Sequence, residues 1–295
     1  MTPTDRKQLA KGLAFISPWL IGFLTFTLTP VVLAVYYSFC DYELISGPPV
    51  PRGLDNFRDL ANDKYFWLSL KNTAHYALLA IPAGLLVSLG LALMLNAKIR
   101  GQTVYRAIIF LPSLVPSVAA AMIWLWCLNP QSGIVNLVLR QLGLSNPPGW
   151  LTSESWAMPS LALMSLWGAG HTVVIYLAGL QDVPTELYEA AEIDGAGPWR
   201  RLWNVTLPML SPVIFFNLIM SIIGALQVFD RPLIMTQGGP NLSTYVFTYY
   251  LYDNAFKYLK MGYASAMALV QLAIILALTA LAFWTSKRWV HYQGK

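Results

Sequence analysis

Six stretches of the chain, near 13–39, 74–95, 107–128, 158–180, 209–229 and 263–284, contain no Asp, Glu, Lys or Arg. Each is long enough for the roughly 20 apolar residues that a helix needs to cross a bilayer. In lipid the backbone must satisfy its own hydrogen bonds, so these runs read as transmembrane helices. Charged residues make up only 11% of the chain, against about 25% in an ordinary soluble domain. Polar connections alternate with the runs, and none is long enough for a soluble domain. The expectation is an all-α integral membrane protein with six transmembrane helices, a single membrane domain over 1–295.

The first run follows Arg6, Lys7 and Lys11, as a signal peptide would. Its apolar part exceeds 25 residues, too long for a signal h-region, so it reads as an uncleaved anchor. Pro18 and Pro30 are expected to kink it. Basic residues set the orientation. With the N-terminus inside, the inner segments 1–12, 96–106, 181–208 and 285–295 hold eleven Lys and Arg, and the longer outer segments 40–73, 129–157 and 230–262 hold eight. Basic density is about twice as high on the inner side, so both ends are expected in the cytoplasm. The net charge of +5 is thereby explained by membrane-flanking positions, without nucleic acid.

The outer segments carry some pattern of their own. Ile134, Val138 and Leu142 share one helical face, which predicts a short surface helix. "TQGGPN" at 236–241 reads as a plain loop or protein contact, since no GxxxxGK[ST] phosphate loop exists in the chain. Asp41, Glu43, Asp55, Asp59 and Asp63 read as a solvated segment rather than a catalytic cluster. Cys40 and Cys127 read as small buried hydrophobes, and no Cys–His group has metal-ligand spacing.

One polar island interrupts the apolar pattern, "YEAAEIDGAGPWRRLWNVTLP" at 188–208. Pro184 suits the first turn of a helix, in which Leu187, Ala190 and Ala191 share a face. Gly195 and Gly197 break that helix. Pro198 starts a second one, with Trp199, Leu202, Trp203 and Thr206 on one face and Arg200, Arg201 and Asn204 on another. Pro208 is expected to end it before the fifth run. The product is two short helices at an elbow, each with an apolar face. No Ser, Cys or His stands near enough to act as nucleophile or base, so docking is favoured over catalysis.

The island resembles the EAA loop of permease subunits in binding-protein-dependent ABC importers. The motif places EAA, a glycine four residues on, and a terminal LP. Here these are Glu189, Ala190, Ala191, Gly195, Leu207 and Pro208, with Val205 where the family has Ile and with Asp194 before the glycine. "GLDNFRDL", "RGQTVYRAIIFLPSLVPSV", "LQVFDRPLIMTQGGP" and "YYLYDNAFKYLKMGYASAMA" extend the resemblance to the sugar-importer branch, MalF-like and glycerol-3-phosphate-type permeases, across nearly the whole chain. The resemblance implies a MetI-like fold with the loop 181–208 as a coupling elbow that docks in a cleft of an ATPase. It implies a second homologous permease, two ABC ATPase subunits at the cytoplasmic face, an extracytoplasmic solute-binding protein and a sugar substrate in the plasma (inner) membrane. ATP and Mg would be held by the ATPases, with no cofactor in this chain.

A polar side chain inside a span needs a partner or a cavity. Asn217, Ser221, Gly224 and Gln227 recur with helical period on the fifth run, which reads as one face of a substrate path, or else as a packing seam between helices. On the fourth run Trp167, Gly168, His171 and Thr172 cluster. The resemblance places sugar contacts near Gly168, Ala169 and Thr172, by position and not by residue type. His171 invites a proton-coupled reading, though such a residue more often bonds a neighbour. An ion-coupled secondary transporter is the alternative, but the six runs hold no acid to bind a cation. With no Arg or Lys deep in a run, the expected substrate is an uncharged saccharide or polyol.

Overall fold

The computed structural model describes residues 3–97 and 100–291. Lys98 and Lys295, two of the basic residues counted toward the inner side, lie outside the described residues. Helix α1 (Pro3–Phe23) passes through a π turn (Leu24–Leu28) into α2 (Thr29–Ser38). The π turn stands just before Pro30, and both the Thr29 N–H and its hydroxyl reach the Leu24 carbonyl. The wider turn absorbs the bond that proline cannot make. Pro18 sits inside an unbroken helix.

A two-stranded antiparallel ladder follows, β1 (Cys40–Asp41) and β2 (Val50–Pro51), with Cys40 opposite Pro51. Next come α3 (Asp55–Asn62) and α4 (Lys64–Asn96). α4 has 33 residues, about 50 Å at 1.5 Å per residue. It therefore starts ten residues before the second apolar run and outreaches a hydrocarbon core of about 30 Å.

The third run is not straight. α5 (Gln102–Phe110) and a 3-10 turn (Leu111–Leu114) meet α6 (Ser117–Cys127) at a bend of 99°. Pro116 forces its predecessor out of the helical region, and Val115 is extended, at ψ 127°. α7 (Ile134–Gln141) is the short helix expected in the next segment, with Ile134, Val138 and Leu142 exposed. The fourth run is α8 (Glu154–Trp167) and α9 (Gly170–Gln181), bent by 51°. α10 (Thr185–Ile193) and α11 (Pro198–Arg201) form the polar island, and a π turn (Leu202–Thr206) leads into α12 (Leu207–Leu226). The chain then folds through a π turn (Pro232–Thr236), α13 (Phe247–Tyr252) and a further π turn (Asp253–Lys257) into α14 (Met261–Ser286). Among the described residues four helices are long and apolar enough to cross a membrane, or up to six if each bent pair is one span.

Pro208 does not end the second island helix. One helix runs from Pro198 to Leu226. The Leu207 N–H reaches back five residues to Leu202, and this π geometry makes room for the proline that follows.

Two compact units emerge. In the first, residues 1–63 with 251–273, the buried Asn56 amide donates to the carbonyls of Ser38 (2.9 Å) and Cys40 (2.8 Å), fixing the exit from α2. Arg52 pairs with Asp55 (3.8 Å) and Asp59 (3.2 Å), Arg58 pairs with Asp55 (3.0 Å), and the Tyr263 hydroxyl donates to Asp63 (2.7 Å). These acids are held in ion pairs and hydrogen bonds. The second unit, residues 64–250 with 274–295, has its core where α4, α9 and α12 meet. Ala92, Leu95, Val173, Tyr176, Leu177, Leu180 and Leu210 are buried there. Ala92 lets α9 close on α4, and α8 packs on α4 as well. Much of the remaining apolar surface is exposed, as lipid contact requires.

Candidate functional site

Two features of the second unit are candidates for a functional site. The first is the hinge between α10 and α11. α10 ends in a double closure: the Ala196 N–H bonds the Ala191 carbonyl (2.8 Å) and the Gly195 N–H bonds that of Glu192 (3.0 Å). This is the Schellman pattern, which needs a left-handed residue just past the helix. Gly195 supplies it, at φ +71°. Gly197 is extended and Pro198 opens α11. The Tyr188 hydroxyl lies 3.1 Å from that of Thr206, and Arg201 pairs with Glu192 at 3.4 Å. The two helices are thus tied at a fixed angle. Their apolar side chains nevertheless face outward: Ile193 is 87%, Trp199 75% and Trp203 65% exposed. Glu189, Ala190, Asp194 and Gly195 are exposed beside them, Ala191 is half-buried, and Leu207 and Pro208 lie half-buried where α12 begins.

The second feature is a pocket of about 270 Å³ among α4, the α8–α9 bend and α12. Tyr76, Ser88, Ser165, Thr172 and Ser221 bring hydroxyls to it, and Gly84, Gly168 and Gly224 keep it open. The bend at Gly168 shapes one wall. Gly170, which follows, allows α9 to close on α5: a Cβ there would stand 2.9 Å from the Ile109 carbonyl and the Ser113 hydroxyl.

Of the residues singled out from the sequence, Gly168, Ala169, Thr172, Ser221 and Gly224 line this pocket. Four others do not. Trp167 sets its ring edge-on to Trp124, centroids 6.3 Å apart. His171 is exposed and its ring lies 5.2 Å from that of Phe110. Asn217 is buried, donates to the Val213 carbonyl (3.0 Å) and bonds the Tyr176 hydroxyl across to α9. Gln227 is exposed at the end of α12. Sequence reasoning missed Arg231. It stands in the loop beyond the fifth run, yet lines the pocket and donates to the Tyr76 hydroxyl (2.8 Å). The "TQGGPN" loop is bound internally: Thr236 and Thr244 hydroxyls meet at 2.7 Å, and the Asn72 amide donates to the Leu242 (2.7 Å) and Tyr245 (3.1 Å) carbonyls.

Residues 80–291, more than two thirds of the chain, match the family described as the binding-protein-dependent transport system inner membrane component. The chain belongs to this family. It is therefore an integral inner-membrane transport subunit of an ABC importer, not an enzyme, and its fold is the MetI-like permease fold. It is 40% identical over 294 residues to the probable ABC transporter permease protein YesP of Bacillus subtilis (strain 168), covering 98% of this chain and 94% of that protein. It is 33% identical to the lactose transport system permease protein LacF of Rhizobium radiobacter, covering 97% and 99%. A crystal structure of a bacterial ABC transporter involved in the import of the acidic polysaccharide alginate superposes with a TM-score of 0.84 at 26% identity, covering 97% of this chain and 98% of that one.

Proposed function

We propose that this permease moves a mono- or oligosaccharide, or a related polyol, that an extracytoplasmic solute-binding protein delivers, and that separate ATPase subunits drive it. One observation carries the reading. A single helix, Pro198–Leu226, bears the exposed tryptophans of the elbow at one end and the pocket residues Ser221 and Gly224 at the other. The 22 residue steps from Trp199 to Ser221 span about 33 Å. A push on the elbow reaches the pocket through one rigid rod.

In this reading the elbow 181–208 is cytoplasmic and docks on an ABC ATPase. Ala190 and Ala191 permit close approach, Gly195 and Asp194 set the reversal, Glu189 offers a charge, and Leu207 and Pro208 join the elbow to α12. Each bent pair counts as one crossing, which gives six, with both chain ends in the cytoplasm and one permease domain overall. Two ATPases holding ATP and Mg, a second homologous permease and the binding protein complete the assembly. Gly168, Thr172, Ser221 and Gly224 face the sugar. Trp167, His171, Asn217 and Gln227 stand outside the pocket lining. The sugar chemistry is drawn from the hydroxyl-lined pocket and from similar proteins named for lactose transport and for alginate import.

The test is purification of the chain from its native membrane, wild type beside Gly195→Asp. An ABC-type ATPase that accompanies the wild type and is lost or uncoupled in the variant is the expected result. A wild type that comes without any ATPase, or a variant with normal coupled uptake, overturns the elbow assignment.

A further inference from the structure

We infer that Arg231 makes the pocket selective for a saccharide bearing an acidic group, a uronic acid being the simplest. The inference rests on the carbohydrate reading above and sharpens it. Arg231 is the one charged side chain lining the pocket. Among the described residues it has no carboxylate partner within 4.0 Å, and its single hydrogen bond is to the neutral Tyr76 hydroxyl. The adjacent acid does not serve it: the Asp230 carboxylate accepts from the Ser117 hydroxyl at 2.7 Å and is not part of the lining.

The local fold holds this cation in place. Ser117, the first residue of α6, anchors Asp230, and α6 packs on the π turn Pro232–Thr236 that begins one residue after Arg231. Tyr76 on α4 is buried, so the guanidinium rests on a fixed partner. Because Tyr76 accepts from Arg231, its own proton is free to donate into the pocket. A guanidinium has five N–H donors in a planar fork. With one engaged, the rest suit the two oxygens of a carboxylate, which an arginine binds in a bidentate manner. A charge in a partly enclosed, otherwise neutral wall also raises the local concentration of anions. The surrounding hydroxyls do the other half of the work. Those of Thr172 and Ser221, half-buried in the wall, make no hydrogen bond among the described residues and are available to ring hydroxyls. At about 270 Å³ the pocket lies at the small end of ligand sites, which suits one acidic residue of a sugar chain. The similar proteins, one named for lactose transport and one for alginate import, leave the charge open. Arg231 decides it.

The experiment uses the complete importer in proteoliposomes, with its binding protein outside and ATP inside. Uptake is measured for paired neutral and uronate probes: glucose and glucuronate, galactose and galacturonate, and disaccharides of each. Wild type is expected to import a uronate probe in preference to its neutral twin. Arg231→Gln should lower that uptake about 10- to 100-fold, the worth of one charge-assisted contact, and lower neutral uptake far less, so that the preference for the uronate twin is lost. Arg231→Lys should recover part of the loss. ATP-dependent import of neutral probes alone overturns the acidic assignment and leaves the carbohydrate reading standing. Equal loss for both probes in Arg231→Gln, or a variant that no longer assembles with its partner subunits, assigns Arg231 to structure and overturns it too. No ATP-dependent uptake of any probe overturns both readings together.

Discussion

Asn217 and Ser221 sit four residues apart on one helix, yet their surroundings ask different things of them. Asn217 is 2% exposed and spends its amide on the Val213 carbonyl and the Tyr176 hydroxyl. Removing it leaves Tyr176 without a partner in an apolar seam. An interhelical hydrogen bond in a membrane contributes about 0.6 kcal/mol and seldom more than about 1.7. Asn217→Ala is therefore expected to destabilise the purified complex by about 1 kcal/mol while sugar preference stays put. Ser221 faces open space. Ser221→Leu should leave thermal stability nearly unchanged and cut uptake at least tenfold by filling the pocket. Thermal unfolding and uptake, measured on both variants, separate the two. If Asn217→Ala changes which sugar is carried, Asn217 belongs to the path after all.

At the scale of the element, the elbow joins a rigid hinge to an apolar face that nothing among the described residues covers. Trp199 and Trp203 are largely exposed. Buried tryptophans are frequent anchors at interfaces, where truncation costs about 2 kcal/mol or more. Trp199→Ala and Trp203→Ala are each expected to weaken ATPase binding more than tenfold without unfolding the permease, as read by titrating the ATPase onto the permease in nanodiscs. Unchanged affinity in both would move the docking face elsewhere. The elbow was legible in the sequence because its devices act within one turn. Gly195 closes α10, Gly197 frees the chain and Pro198 opens α11. The continuity past Pro208 was not legible, because it depends on one five-residue bond, Leu207 to Leu202, that no side-chain pattern announces. The stripe on α12 was half legible for a related reason. Periodicity places Asn217 and Ser221 on one face but does not say that α9 covers the first and leaves the second open. Arg231 escaped because the apolar run ends before it, and only the fold returns its side chain to the pocket.

For the whole molecule the question is how often the chain crosses the bilayer, and the bent pairs decide it. The legs of α8–α9, 14 and 12 residues long and bent by 51°, reach about 35 Å end to end at 1.5 Å per residue, enough for a core of about 30 Å. The third run is harder. Its legs, Gln102–Leu114 and Ser117–Cys127, meet at 99° and reach only about 25 Å. A single crossing there draws on local thinning of the bilayer or on neighbouring helices to make up the difference. Three single cysteines test both pairs, placed at the exposed positions Thr103, Ser145 and Asn204, after the native Cys40 and Cys127 are replaced by Ser. Thr103 and Ser145 flank α5–α6, and Ser145 and Asn204 flank α8–α9. With one crossing per pair, a membrane-impermeant maleimide labels position 145 from outside and reaches 103 and 204 only once the cytoplasm is opened. If 103 and 145 label from one side, the 99° bend is a re-entrant turn and the third run dips into the membrane without crossing it. If 145 and 204 label from one side, the elbow stands on the same side as α7 and cannot meet an ATPase while α7 faces out. Labelling of 103 and 204 from outside with 145 inside would keep six crossings but invert the protein, against the basic residues that flank its runs.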